Sequence, residues 1–429
     1  MSRPQRHLGY RIALAGFLFI AAMTLMPHRE EIARVAVTPV TCVICGDLGG
    51  VDFFLNILLF VPLGMGLTLA GFSWRRALVL AVLTTFCIEL LQMKVVPGRD
   101  ASLGDVMANT LGGGLGALLA AHWRGIVLPA PDRARRLALA YAMVLGWVWA
   151  GTAWTLGPAY PQGVRWYGAW AAELDNFDRF PGKPLLVTAG GEPLLPGPAL
   201  NQARLEDAVV ARPSLGFQAV LGGPTMRLAP IGSIVDGVHR DVMRIGQAGE
   251  DLVFEVRMRA TILKLRNPMA ALPNGLAGAP GDTVEAEGAL RDGAFELRSS
   301  RGGQTTSRRV PLSASWGWSL VAPWAPVLGV GAGFLTAFWI VGAIALLAYW
   351  GTLAGGAALS IPPVTALLLF GAIPWAAEFP PAGWSEWAAA LAGILVGTLA
   401  ARIASRTRAR TVDSTLQDAL PLLPSGMTP

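Results

Sequence analysis

Apolar residues in this chain come in blocks of roughly twenty, separated by short charged or Gly/Pro-rich connections. Such a block matches the thickness of a bilayer's hydrocarbon core, and in lipid every backbone polar group must be satisfied within the segment. Helices that cross a membrane are therefore the structure these blocks call for. Composition agrees: 53% of the 429 residues are hydrophobic and only 14% charged, against about a quarter charged in soluble domains. Disorder, a disulfide-rich secreted scaffold and an ordinary cytosolic enzyme are excluded as classes. The net charge of +6 lies mostly beside the apolar blocks, with no basic stripe carrying interleaved aromatics, so no nucleic-acid partner is expected; membrane lipids are.

Eight spans are expected, near 10–27, 51–71, 77–93, 105–123, 137–157, 327–348, 363–378 and 386–401. The first follows Arg3 and Arg6, but Met23-Thr24-Leu25-Met26-Pro27 offers no small-x-small cleavage site, so it reads as a retained helix. The seventh and eighth are short and interrupted by Gly and Pro. With the N-terminus inside, thirteen Lys/Arg fall in the inner short loops and four in the outer ones, among them Arg29, Arg34, Lys94 and Arg99. By the positive-inside rule both termini are cytoplasmic.

The segment 158–320 has soluble composition and near-neutral charge, and the orientation puts it outside. Leu252, Phe254, Val256 and Met258 alternate with Val253, Glu255 and Arg257, and Phe295 and Leu297 follow an Asp292-Gly293 turn. Gln247-Ala248-Gly249-Glu250 reads as another hairpin turn. Short strands with such turns predict an antiparallel β-sandwich. Trp147, Trp149 and Trp154 would mark the exit from the membrane, and Trp316, Trp318 and Trp324 the return to its interface. The expected fold is thus an all-α membrane bundle of about eight transmembrane helices with an extracytoplasmic antiparallel β-sandwich. Its parts are 1–125 (four helices), 126–157 (a fifth), 158–320 (the sandwich), 321–401 (three helices) and 402–429 (a basic, disordered tail).

Polar residues inside the spans are few. Asp52 and Asn56 share a face of the second span, Asp105 and Asn109 a face of the fourth, and Glu89 and Gln92 a face of the third. Lys94 and Arg99 lie in the loop joining the third and fourth. All fall near the outer leaflet, above inner halves dominated by Leu, Val and Ala, which favours a polar cup over a through-membrane path. Asp52 and Asp105 have a plain structural reading at helix N-termini, where an anion is favoured, and Ser102-x-x-Asp105 has capping-box spacing. Glu89 does not, because it lies near a helix C-terminus whose carbonyls repel it. A cation such as Arg99 or Lys94, a proton, or a network with Asn56 and Asn109 must hold it. An ionisable residue so placed is a functional-site hypothesis. The glycines at 64, 66, 112–114 and 116 read as helix-packing positions.

Cys42-Val43-Ile44-Cys45 precedes the second span on the outer side. A local disulfide is favoured over two free thiols, since that compartment is oxidising, and Cys87 reads as a buried thiol. The scattered His7, His28, His122 and His239 form no metal or triad pattern, and no metal or cofactor is expected. No clear nucleophile accompanies Glu89, so catalysis is an open question that leans towards none.

The stretch from Cys42 through Asp52-Phe-Phe-Leu-Asn56 to Pro62-Leu-Gly64 resembles the VanZ-like family, small bacterial membrane proteins named for a teicoplanin-resistance member. So do Ile88-Glu89-Leu-Leu-Gln92, Pro97-Gly-Arg99-Asp-Ala-Ser-Leu-Gly-Asp105 and Asn109-Thr-Leu-Gly112. The resemblance covers about residues 10–125 and places Asp52, Asn56, Glu89, Gln92, Arg99, Asp105 and Asn109 on the family's recurrent polar positions. It implies the cell envelope as a setting and no particular reaction. The outer segment resembles a laminin-G or concanavalin-like sandwich through Ile234-Val-Asp236 and Met243–Arg257, a type that often binds glycans. Together these suggest an inner-membrane protein whose cup takes an outer-leaflet lipid-linked or cell-wall glycan, with an effect on glycopeptide tolerance. The alternatives are an envelope-lipid-modifying enzyme and an anchor that displays a glycan-binding sandwich.

Overall fold

The computed structural model describes residues 3–26, 39–96, 101–172, 177–237, 240–325, 327–328 and 331–419, with side chains as far as 407. It divides into two compact units. The first comprises 1–122, 152–333 and 377–380; the second comprises 123–151, 334–376 and 381–429.

The first unit begins with four helices: α1 (Arg3–Leu25), α2 (Gly49–Leu69), α3 (Trp74–Lys94) and α4 (Leu103–Ala121). Their inner faces are rich in small residues, with Ile20, Phe60, Leu63 and Ile88 forming a buried apolar cluster among them. A Cβ on Gly64 would overlap the carbonyl of Gly113, and one on Gly116 the carbonyl of Val61, so α2 and α4 run side by side, parallel and in backbone contact. Gly66 meets Ala13 of α1 and Gly9 meets Ala70 in the same way, with α1 antiparallel to α2. Large apolar side chains point outward instead: Met107, Leu111, Leu115 and Leu118 of α4 are exposed while Ala108, Gly112, Gly116 and Ala120 are buried. Small residues inside and leucines outside are what lipid as solvent selects, since close backbone packing rather than hydrophobic exclusion joins the helices. Cys87, expected to be buried, lies exposed on α3 for that reason: an apolar thiol gains nothing by leaving a lipid-facing surface.

Among the described residues thirteen strands follow. They are β1 (Trp166–Trp170), β2 (Lys183–Ala189), β3 (Glu192–Pro193), β4 (Gly197–Pro198), β5 (Ser214–Val220), β6 (Ala229–Asp236) and β7 (Asp241–Ala248). Then come β8 (Asp251–Val256), β9 (Met269–Leu272), β10 (Thr283–Arg291), β11 (Ala294–Arg301), β12 (Gln304–Pro311) and β13 (Val327–Leu328). One sheet has the order β13-β9-β8-β7-β6-β1-β4 and the other β12-β11-β10-β5-β2-β3. All pairings between them are antiparallel except β13 with β9. Phe254 of β8 meets Phe295 of β11 edge-to-face at 6.1 Å, and the two sheets share one apolar core. The Asp292-Gly293 turn is a two-residue hairpin with both residues at positive φ, 46° and 64°, as right-twisted strands require. Gly249, at φ 65°, turns β7 into β8.

The second unit holds most of α5 (Pro131–Thr155), together with α7 (Ala332–Ala354), α8 (Gly356–Ala376) and α9 (Trp384–Ala419); α6 (Gln202–Ala211) belongs to the sheets. Trp149 stacks on Trp339 at 6.0 Å and meets Phe370 edge-on at 6.2 Å. Gly393 and Gly397 let α9 close on α7. In α8 a π turn over Leu368–Ala372 precedes Pro374, because the proline ring displaces the carbonyl four residues earlier.

Four further expectations need correction. Among the described residues seven helices, not eight, are long and apolar enough to cross a membrane. The remaining one is α4, whose five glycines, Asp105 and Asn109 lower its hydropathy although it packs along α2. Val327–Leu328, assigned to the sixth span, is strand β13 instead. Trp316, expected at the membrane interface, is buried in the sheet core, while Trp324 is exposed. The helix at the C-terminal end runs to Ala419 where a disordered tail was expected from 402, since no Gly or Pro interrupts 398–420 before Pro421.

Candidate functional site

Three helix ends meet around Ser102. As N-cap of α4, Ser102 accepts the Asp105 N–H at its Oγ (3.0 Å) and donates that hydroxyl to Asp105 Oδ2 (2.8 Å). Asp105 Oδ1 accepts from Asn56 Nδ2 of α2 at 2.5 Å. The backbone N–H of Ser102 points to α3, where Glu89 Oε2 accepts it at 3.0 Å. Glu89 is 6% exposed and near enough to Asp105 for the two charges to act on each other. One helical turn further in, Asn109 Nδ2 donates to Thr85 Oγ1 at 2.9 Å. Gln92 Nε2 donates to the Thr24 carbonyl of α1 at 2.9 Å.

This geometry answers how Glu89 is tolerated at the end of α3. Its carboxylate lies against the N-terminus of α4, where the helix dipole carries partial positive charge and the N–H of the N-cap residue Ser102 is its donor. The proposed partner Arg99 lies outside the described residues. Lys94 is exposed and forms no ion pair among the described residues.

Two amide oxygens are left over. Gln92 Oε1 and Asn109 Oδ1 are buried with no hydrogen-bond donor among the described residues. A buried acceptor without a donor costs about 1–3 kcal/mol. The cluster is therefore rich in acceptors: two carboxylates and two amide oxygens without a donor among the described residues.

Asp52 stands apart from the Ser102 cluster in its surroundings. It is exposed at the start of α2 and acts electrostatically on Arg266, which comes from the loop before β9. Arg266 also donates to the carbonyls of Ala322 and Pro323, to the latter at 2.8 Å. Burial draws the Arg266 guanidinium below its ordinary value, and Asp52 partly offsets that. Its neighbour Lys264 donates from Nζ to the Ile44 carbonyl at 2.6 Å, and the Lys264 carbonyl accepts from Gly50 N–H at 3.1 Å. Ile44 belongs to the loop closed by the Cys42–Cys45 disulfide.

Of the residues singled out in the sequence, Asn56, Glu89 and Asp105 come together through Ser102. Asn109 and Gln92 line the same helices, and Lys94 does not join them. Thr85, Thr24, Lys264 and Arg266 complete the surroundings. Thr85 is four residues before Glu89, matching the pitch of Asp105 and Asn109, so its place was readable. Arg266 lies more than two hundred residues from Asp52, and no local pattern points to it. Within the sheets, the buried Asp236 accepts from Arg240 (3.0 Å) and Arg257 (3.4 Å), a closed ion-pair group distant in sequence from the cluster.

Seven apolar helices and a polar cluster among three helix ends define a multi-span membrane protein. Residues 4–124 match the sequence model of the VanZ/LLP1 family, a little over a quarter of the chain, and this part is a VanZ-like domain. No curated protein and no solved structure matches the chain significantly.

Proposed function

We propose that the Ser102-centred cluster is the binding site of a bacterial inner-membrane, VanZ-like envelope protein for the headgroup of an outer-leaflet lipid-linked or cell-wall glycan. Both termini are cytoplasmic in this reading and 158–320 lies outside. The pair of packed sheets is a laminin-G or concanavalin-like sandwich that adds glycan recognition, and the protein influences tolerance to glycopeptide antibiotics.

The observation that carries the reading is the pair of buried oxygens, Gln92 Oε1 and Asn109 Oδ1, that have no hydrogen-bond partner among the described residues, on the same helices as Glu89 and Asp105. Buried acceptors left without donors invite a ligand that brings them. Sugar hydroxyls and amines do, and Arg99 and Lys94 supply charge for a phosphate or carboxylate on the same headgroup. Asn56, through its bond to Asp105, keeps that carboxylate oriented.

The test uses the full chain in nanodiscs and a polyprenyl-diphosphate-linked disaccharide as probe. Glu89→Gln and Arg99→Ala are expected to weaken binding at least tenfold, about 1.4 kcal/mol, with expression and monodispersity unchanged. Wild-type binding by both variants would refute the reading. So would probe turnover by the wild type, which belongs to the enzyme alternative.

A further inference from the structure

The loop closed by Cys42–Cys45 has two sets of partners that the ligand reading does not use. Carbonyls of the loop and of the residues leading into it complete the N-terminus of α4: Cys42 O accepts from Gly104 N–H at 3.1 Å, and Val40 O, two residues before the loop, accepts from Leu103 N–H at 2.8 Å. With the Ser102 hydroxyl on Asp105 N–H, the first three N–H groups of α4 are all satisfied. The fit is tight, because a Cβ on Gly104 would overlap the Val43 carbonyl. On its other side the loop offers the Ile44 carbonyl to Lys264 Nζ. Lys264 is held at φ 53° at the end of the 3-10 turn Arg259–Leu263 and binds Gly50 of α2 through its carbonyl. One short loop thus joins the helix end that carries Asp105 to the sheet-bearing half of the same unit.

Both cysteines are half-buried, and the residues between them, Val43 and Ile44, are exposed. A dithiol can reach such a bond, whereas one sealed in a core would be protected.

We propose that Cys42–Cys45 is a redox latch: oxidised, it holds the 259–266 loop and the first turn of α4 together; reduced, it releases both. The reductant is a dithiol. Its thiolate attacks one Sγ, the S–S bond breaks, and the other cysteine leaves as a thiolate. The dithiol's second thiol then displaces the first cysteine from the mixed disulfide. Two electrons pass to the protein, two protons end on Cys42 and Cys45, and the dithiol becomes a disulfide. The proposal does not depend on what the Ser102 cluster binds.

Hydrogen exchange on the full chain in nanodiscs tests it, in a Cys87→Ser background so that only one disulfide is read. Equilibration with dithiothreitol redox buffers is expected to reduce the bond. Reduction should speed exchange at Leu103 and Gly104 and across 259–266 at least tenfold, leaving β8 protected. Cys42→Ser/Cys45→Ser should show the reduced pattern in oxidising buffer and ignore dithiothreitol. Lys264→Met should loosen 259–266 alone. A bond that dithiothreitol leaves intact, equal exchange in the two redox states, or loss of protection that includes β8 would each overturn the latch, the last by making the disulfide a support of the whole fold.

Discussion

Glu89 opposes the dipole of its own helix and suits that of its neighbour, and the difference lies in one backbone N–H, that of Ser102. Among the described residues the donor that meets Glu89 is a backbone N–H and not a side-chain cation, which is why the residue type and its position along α3 did not by themselves name this partner. Ser102 works twice, its N–H holding Glu89 and its hydroxyl holding Asp105, so two repelling carboxyl groups are fixed by one small residue. Outside the spans, Tyr160 shows the cost of an unmet group: its hydroxyl is buried with no partner among the described residues, and burial raises its pKa above the ordinary tyrosine value. A raised folded-state value means the fold favours the neutral phenol. Its contribution is intact below the unfolded value near 10 and is lost as pH climbs beyond it. Tyr160→Phe should therefore raise stability at neutral pH by about 1 kcal/mol and flatten the alkaline fall above pH ~10, as read by thermal unfolding across pH.

Between elements, the α2–α4 contact is decided by what is missing from it. Gly64, Gly112 and Gly116 bring backbone against backbone, and the leucines of α4 face outward. A hydropathy count sees the glycines and the two polar residues as a weak span; packing shows them as the seam of the four-helix domain. Gly116→Val should separate the helices, because its Cβ has the Val61 carbonyl in its way, and should lower the yield of monodisperse protein severely. Gly114→Ala is the control: its Cβ would meet Leu78 Cδ1 at 3.4 Å, an ordinary contact, and size-exclusion profiles should match the wild type. The strands were more legible than the helix seam, since alternation at Leu252, Phe254 and Val256 and the Asp292-Gly293 hairpin are local signals. Strand β13 escaped because Val327 and Leu328 lie in an apolar run continuous with a helix, and only pairing with Met269 and Ala270 makes them sheet.

At the scale of the first unit, helices and sheets meet where Gly50 leaves no room for a side chain: a Cβ there would overlap the Leu263 carbonyl. Gly50→Val should push the 259–266 loop away and make it a site of limited proteolysis while α2–α4 stay resistant; equal cleavage of variant and wild type would mean the contact is dispensable. The sequence alone determined that the chain belongs in a membrane, where its helices and hairpins fall, and that Asn56, Glu89 and Asp105 share a level, since these follow from hydropathy and from periods of 3.6 and 2 within one element. Tertiary structure decided what answers Glu89, that Asp52 faces Arg266, that Trp316 is core, and that the disulfide loop joins α4 to the sheets. Those outcomes depend on residues far apart in the chain, brought together by close packing and backbone hydrogen bonds, neither of which leaves a periodic trace in a sequence.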